Sequence, residues 1–187
     1  MHIKHFVGLL LTILLLIFTQ PVSADLVAGN SANMYYTESD GASFTNDQTY
    51  FIKKRAIKNY LSKFQTPLID HVDAFIQACQ LYNLDCYLLP AISGVESTFA
   101  KFIKTGTNNP FGWGRGLIEF DGYDRAILTV GKGLRENYVD KGATTVEQIG
   151  NIYCEGNTWS SKVSYFIEQF KKEEKNLLLL NGNTVEL

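Results

Sequence analysis

The stretch Leu88 to Phe99, LLPAISGVESTF, holds a single charged residue, Glu96, among apolar and small neighbours. A carboxylate so placed has three readings: a solvent-facing group on an amphipathic helix, a buried structural group bonded to nearby donors, or an acid working in a cleft. Apolar surroundings disfavour the charged form and raise a carboxyl pKa. Protonation of a glycosidic oxygen needs such a group, still protonated near neutral pH. That chemistry generally takes a second carboxylate. The candidates are Glu119, Asp121 and Asp124, all between a glycine-rich loop and the helix expected after it. Glu119 comes first, because it sits in the loop that would form the wall opposite Glu96. With none well placed, two routes stay open: the substrate's own acetamido group as nucleophile, or Glu96 alone as acid then base, leaving an anhydro sugar.

Other chemistries fit poorly. His71 is the one histidine beyond residue 24, on a segment that also carries Asp70 and Asp73. One histidine at that spacing builds neither a zinc site nor a Ser-His-Asp arrangement, and it reads as a surface residue. Gly112-Trp113-Gly114-Arg115-Gly116 follows no expected strand, so it is no phosphate-binding loop. Neither a metal nor a cofactor is expected. Of the three cysteines, Cys79 and Cys86 are close in sequence, flank an expected helix and turn, and are the better disulfide pair. The equal alternative is three small buried apolar residues. An odd count in an exported chain leaves at least one thiol over.

These residues need elements to hold them. Phe51 to Phe64 is a short helix candidate. Thr66-Pro67 reads as an N-cap followed by proline at the first helical position, opening a helix with Leu68, Val72, Phe75, Ile76 and Cys79 at helical spacing that ends near Tyr82-Asn83. Asp85 is the expected N-cap of the helix bearing Glu96, whose buried stripe is Leu88, Leu89, Ile92, Val95 and Phe99, with Pro90 in its early part. Residues 103–122 are loop, with a small hairpin as the alternative. A helix from Tyr123 to Tyr138 presents Ile127, Val130, Leu134 and Tyr138. Thr144-x-x-Glu147 reads as a capping box, with Val146, Ile149 and Ile152 inward. The last helix, Trp159 to Lys175, presents Val163, Phe166, Ile167 and Phe170, and its KKEEK end reads as a solvated face with charge pairs four residues apart.

The chain is 187 residues long, 45% hydrophobic and 19% charged, which suits one folded domain and excludes wholesale disorder. A net charge of -2 and a pI near 5.9 give no basic face for nucleic acid. At the N-terminus, Lys4 and two histidines precede an apolar run from Phe6 to Phe18, then Val22-Ser23-Ala24. Residues 1–24 read as a cleaved signal peptide, with an uncleaved anchor as the alternative, so the protein is expected to be secreted or associated with the cell wall. No stable membrane insertion is expected after cleavage. Residues 25–50, rich in Ser, Asn, Asp, Thr and Gly, read as a flexible leader, 51–175 as the domain, and 176–187 as a tail.

The segment Tyr82 to Phe99, YNLDCYLLPAISGVESTF, resembles the helix of lysozyme-like peptidoglycan lyases and hydrolases, where a turn of the YGLDP type leads into an apolar helix ending in Glu-Ser. Asn108 to Gly114, NNPFGWG, resembles the NNLFG-I-K-G segment of bacterial endo-β-N-acetylglucosaminidases, and Phe120 to Asp124, FDGYD, their F-x-x-Y-D segment. Tyr153 to Val163, YCEGNTWSSKV, is similar to their Y-A-T-D-P-x-Y-A-x-K-V segment. The four occur in the family's order and span nearly the whole expected domain. The chain departs from the pattern at Pro110 for Leu, at Trp113 for a smaller apolar residue, at Cys154-Glu155-Gly156 for Ala-Thr-Asp, and at Trp159 for Tyr.

The resemblance implies a mainly α, lysozyme-like bundle of about six helices, with the glycine-rich loop or hairpin as one wall of a cleft. It implies a monomer acting on peptidoglycan or a related N-acetylated glycan, cutting at N-acetylglucosaminyl linkages. Glu96 would be the general acid, with Glu119 and Tyr153 as catalytic partners. Tyr153 and Tyr123 would line the cleft and offer hydroxyls to sugar oxygens, amides and Glu96. Phe111 and Trp113 would form a stacking wall, with plain core as the alternative for each aromatic. Ser97, Gly112 and Trp159 would also touch substrate. Asn108 and Asn109 are either turn formers or partners of the sugar amide. Two other functions stay open: a muramidase or lytic transglycosylase on the same polymer, and a non-catalytic wall-binding domain.

Overall fold

Apolar residues at helical spacing build six α-helices, and no strand occurs among the described residues. The computed structural model describes residues 41–153 and 158–182, with side chains over 47–153 and 158–180, all within one compact unit. The signal-peptide expectation, most of the leader, Cys154 and residues 183–187 lie outside the described residues. The helices are α1 (Gly41–Leu61), α2 (Val72–Tyr82), α3 (Leu88–Ser97), α4 (Tyr123–Asn137), α5 (Val146–Tyr153) and α6 (Trp159–Gly182). Three 3₁₀ turns, Ser62–Phe64, Pro67–His71 and Val139–Lys141, punctuate them. Among the described residues no helix is long and apolar enough to cross a membrane.

The helix that carries Glu96 is the most enclosed. Leu88 through Gly94 and Ser97 are all buried, and α3 packs against α6. A helix apolar on every side belongs in a core. Around it α6 also packs on α1 and α5, while α2 packs on α4 and α1. The interior is strongly aromatic. The Phe99 ring lies 4.6 Å from Phe64 and 5.1 Å from Phe166, and Tyr60 lies 4.9 Å from Phe170. Gly94 permits this closeness, since a Cβ there would stand 2.7 Å from the Phe99 ring and 3.1 Å from Phe166.

The turn ahead of α3 is stapled by the Cys79–Cys86 disulfide, whose Cα atoms are 4.7 Å apart. Closing so short a loop stabilises by roughly 2–3 kcal/mol in a chain-entropy model. Thr66 caps as expected, its side chain accepting from Leu68 N–H with Pro67 at the first position, but the turn it opens is 3₁₀ up to His71. Asp85 is not the N-cap of α3. Tyr87 holds that position, and Asp85 instead accepts from Tyr87 N–H at 2.8 Å, closing the turn ahead of the helix.

Other boundaries differ from the sequence expectation for physical reasons. Helix α1 begins at Gly41, well inside the segment read as a leader. Asp47, Gln48 and Thr49 are exposed there, so no apolar period marks the helix before half-buried Tyr50. Helix α6 continues to Gly182, past the expected tail boundary, and Leu177 is buried against the core. The KKEEK segment is more than a solvated face. Glu174 accepts from Tyr87 Oη at 2.8 Å and from Lys53 Nζ at 3.2 Å, and Glu173 pairs with Lys63 at 2.5 Å. The capping box at α5 is shifted by one residue: Gln148 Oε1 accepts from Thr144 and Thr145 N–H, and Thr145 Oγ1 accepts from Gln148 N–H. Glu147 takes no part in it, and Ile152 is 61% exposed rather than inward.

Candidate functional site

Helix α3 stops one residue after Glu96, where the sequence pattern suggests it continues to Phe99. Thr98, Phe99 and Ala100 all take left-handed backbone, with φ of 52°, 58° and 64°. Each such L-residue costs roughly 1–2 kcal/mol in a left-handed helical conformation, so the surroundings must hold them. Thr98 N–H donates to Gly94 O at 3.2 Å and Phe99 N–H to Ser93 O at 3.0 Å. Ala100 N–H donates to Ser97 Oγ at 2.8 Å, and the Thr66 hydroxyl donates to Phe99 O. The buried Phe99 ring supplies about 1.5–3 kcal/mol of apolar burial in return. The end of α3 is thereby fixed, and Glu96 with it.

Ser97 joins this helix end to the loop that follows. Its hydroxyl donates to Pro110 O at 2.7 Å and lies 3.0 Å from Ser93 O. Ser97 is buried, so it positions the loop instead of meeting a substrate. The loop is held from within by Asn109, which is also buried. Asn109 Nδ2 donates to Trp113 O at 2.8 Å and Ile118 O at 3.1 Å, while Oδ1 accepts from Trp113 N–H at 3.0 Å. Asn108, at φ 47°, donates from Nδ2 to Phe120 O at 3.0 Å. Both asparagines are turn formers. Asn109 has its side-chain oxygen and both amide hydrogens committed, which removes it as a partner for a sugar amide.

This loop meets Glu96 at Gly112. Gly112 has φ +60°, and a Cβ there would stand 3.2 Å from Glu96 Oε2. Glycine is needed twice over, for the backbone conformation and for the close approach. On the other side, Trp159 Nε1–H donates to Glu96 Oε1 at 2.7 Å. Trp159 is 5% exposed and stacks on Tyr153, centroids 4.8 Å apart. Tyr153 Oη donates to Phe111 O at 2.8 Å, tying the end of α5 to the loop. Its ring also lies 6.2 Å from Trp113 and 6.2 Å from Tyr138. Burial pushes the Glu96 carboxyl above its ordinary range, and the Trp159 hydrogen bond pulls partly against that shift. No cation pairs with Glu96 among the described residues.

The structure therefore brings Glu96, Gly112, Tyr153 and Trp159 together, with Trp113 beside Tyr153. Other expected site residues fall elsewhere. Phe111 is fully buried and offers no face for a sugar; its carbonyl, not its ring, serves the site. Tyr123 makes no hydrogen bond to Glu96. Its ring lies 5.2 Å from His71, and His71 Nδ1 is 2.7 Å from Asp124 Oδ1. Asp124 is thus held by His71, which is half-buried between the two and no bare surface residue. Glu119 is exposed in the loop and has neither a hydrogen bond nor an ion pair among the described residues. Sequence reasoning missed the left-handed turn after Ser97, the Ser97–Pro110 link and the place of Tyr138. None carries a signal in spacing, since each depends on contacts made after folding.

No protein-family model matches the chain, and no curated protein matches it.

Proposed function

We propose that the chain is an exported glycosidase that cuts peptidoglycan glycan strands at N-acetylglucosaminyl linkages, with Glu96 as general acid. The observation that carries this reading is Glu96 itself: half-buried, without a cation, its pKa raised by burial, and its two oxygens in different settings. The Trp159 N–H occupies Oε1, which favours that oxygen as the carbonyl end of the neutral acid. The proton then belongs on Oε2, which faces Gly112. A glycosidic oxygen approaching over Gly112 would take it, and the absent side chain leaves room for the sugar. The glycine-rich loop would form one wall of the cleft, with Trp113 and Tyr153 lining it. Such proton transfer contributes about 10²–10⁴ to rate.

For the second group the reading turns from the first choice, Glu119, to one of the alternatives open from the sequence. Asp124 is paired with His71, and Glu119 and Asp121 are both exposed with no hydrogen bond or ion pair among the described residues that would orient them. These placements favour a route in which the substrate's own acetamido group attacks the anomeric carbon, Glu96 acting first as acid and then as base towards water. The test is digestion of purified cell wall followed by reducing-end analysis. New reducing N-acetylglucosamine is expected. A 1,6-anhydromuramic end would assign the chain to lytic transglycosylation, and binding to wall without any cleavage would leave a wall-binding domain.

A further inference from the structure

Helix α4 holds two interior glycines, Gly131 and Gly133. Each sits there at a local cost, because glycine in a helix interior is destabilising relative to alanine. Residues two apart on a helix do not share a face, and these two meet different neighbours. A Cβ at Gly131 would stand 3.0 Å from Tyr82, 3.1 Å from Leu89 and 3.3 Å from Ala78, so that glycine lets α2 and α3 close on α4 in the core. A Cβ at Gly133 would instead meet the Trp113 indole, 2.8 Å from Cζ2, 3.2 Å from Cη2 and 3.7 Å from Cε2. Carbon atoms in good contact stand about 3.5–4.0 Å apart. A rigid ring, unlike the end of a flexible chain, has to move as a whole to recover that distance.

Trp113 is tied to Glu96 by two routes. Its chain neighbour Gly112 comes so close that a Cβ there would stand 3.2 Å from Glu96 Oε2. Its ring lies 6.2 Å from Tyr153, which stacks at 4.8 Å on Trp159, the donor to Glu96 Oε1. Its backbone is held by Asn109, which bonds both Trp113 N–H and Trp113 O. A displaced indole therefore strains the loop beside Oε2, the aromatic stack beside Oε1, or both.

We infer that Gly133 is a positioning residue of this site. Its missing side chain lets the Trp113 indole lie against α4, and that contact sets the loop and the aromatic stack against the two oxygens of Glu96. The contact stands on packing alone, and its effect on activity rests on the glycosidase reading above.

The test is Gly133→Ala in the full chain, made with Trp113 intact and in a Trp113→Phe protein, whose shorter side chain lacks the far ring atoms that meet α4. Reducing ends released from purified cell wall are measured well below each variant's melting temperature. With Trp113 intact, Gly133→Ala is expected to lower kcat/KM about tenfold, a misplacement of about 1 Å being able to cost about 10²-fold. In the Trp113→Phe protein the same change is expected to cost less than about twofold, since the pair no longer couples. A plain effect on helix stability would be alike in both backgrounds. Unchanged activity with Trp113 intact, or an equal fall in both backgrounds, overturns the assignment. A second readout needs no substrate. In a Trp159→Phe protein Trp113 is the one that remains of two tryptophans. There Gly133→Ala is expected to shift its emission to longer wavelength and to open it to acrylamide quenching. Unmoved emission and quenching overturn the assignment. Wild-type protein that releases no reducing ends takes down the glycosidase reading, while the emission of Trp113 still upholds or overturns the contact.

Discussion

Glu96 shows how one carboxyl can be tuned by two opposed neighbours. Burial favours its neutral form, while the indole N–H of Trp159 favours the charged one. Because the folded pKa lies above the unfolded value, the folded state binds the proton more tightly. Below the unfolded pKa both states are protonated and the group is neutral in its effect. As pH rises through the window between the two values, stability is lost, and the cost persists above it. Replacing Trp159 by Phe removes the donor that favours the charged form and raises the Glu96 pKa further. In the proposed mechanism the acid must be protonated to work, so the alkaline limb of the kcat/KM profile is expected to move to higher pH, whatever happens to its height. A limb that stays in place or moves down would show that Glu96 is not the titrating acid. Glu96 was legible in the sequence because a lone charge in an apolar helix stands out. Its hydrogen-bond partner was legible as a residue but not as a bond, since Trp159 lies 63 positions away.

At the scale of elements, the site depends on a helix end and a loop held in register. Helices α3 and α4 could be read from apolar spacing, as could the buried Val163, Ile167 and Phe170 of α6. The end of α3 could not, because Phe99 continues the apolar period while its backbone has already turned left-handed. The start of α1 was hidden by exposed polar residues that give no period. The loop from Asn109 to Ile118 is held chiefly by one side chain, and that gives a prediction. Asn109→Ala leaves Trp113 N–H and the carbonyls of Trp113 and Ile118 without that partner, in a partly buried setting. The expected loss is about 1–3 kcal/mol in denaturant unfolding, with faster amide exchange across residues 109–118. A loss below about 0.5 kcal/mol, typical of a surface substitution, would show that the loop is held by other means. The same variant is expected to loosen Gly112 against Glu96, so the proposed activity is expected to fall along with stability.

Among the described residues, the proposed site lies where α3, α6 and the glycine-rich loop meet, and the remaining helices pack with them in one unit. The aromatic core fixes α3 against α6, and the disulfide secures the turn by which α3 is entered. The mainly α architecture was readable from apolar spacing and the family resemblance. The grouping of residues 96, 112, 153 and 159 was legible only through the family resemblance, because no local pattern encodes which helix ends touch. The most direct measurement is a paired assay of wild type and Glu96→Gln on the same purified cell wall, by clearing in a gel and by release of reducing ends. The account expects wild type to clear the wall and the variant to lose at least about 10²-fold in rate. It also expects the variant to be the more stable protein above the folded pKa of Glu96, where a buried charge has been removed. Equal clearing by both proteins would take Glu96 out of the mechanism and contradict the account.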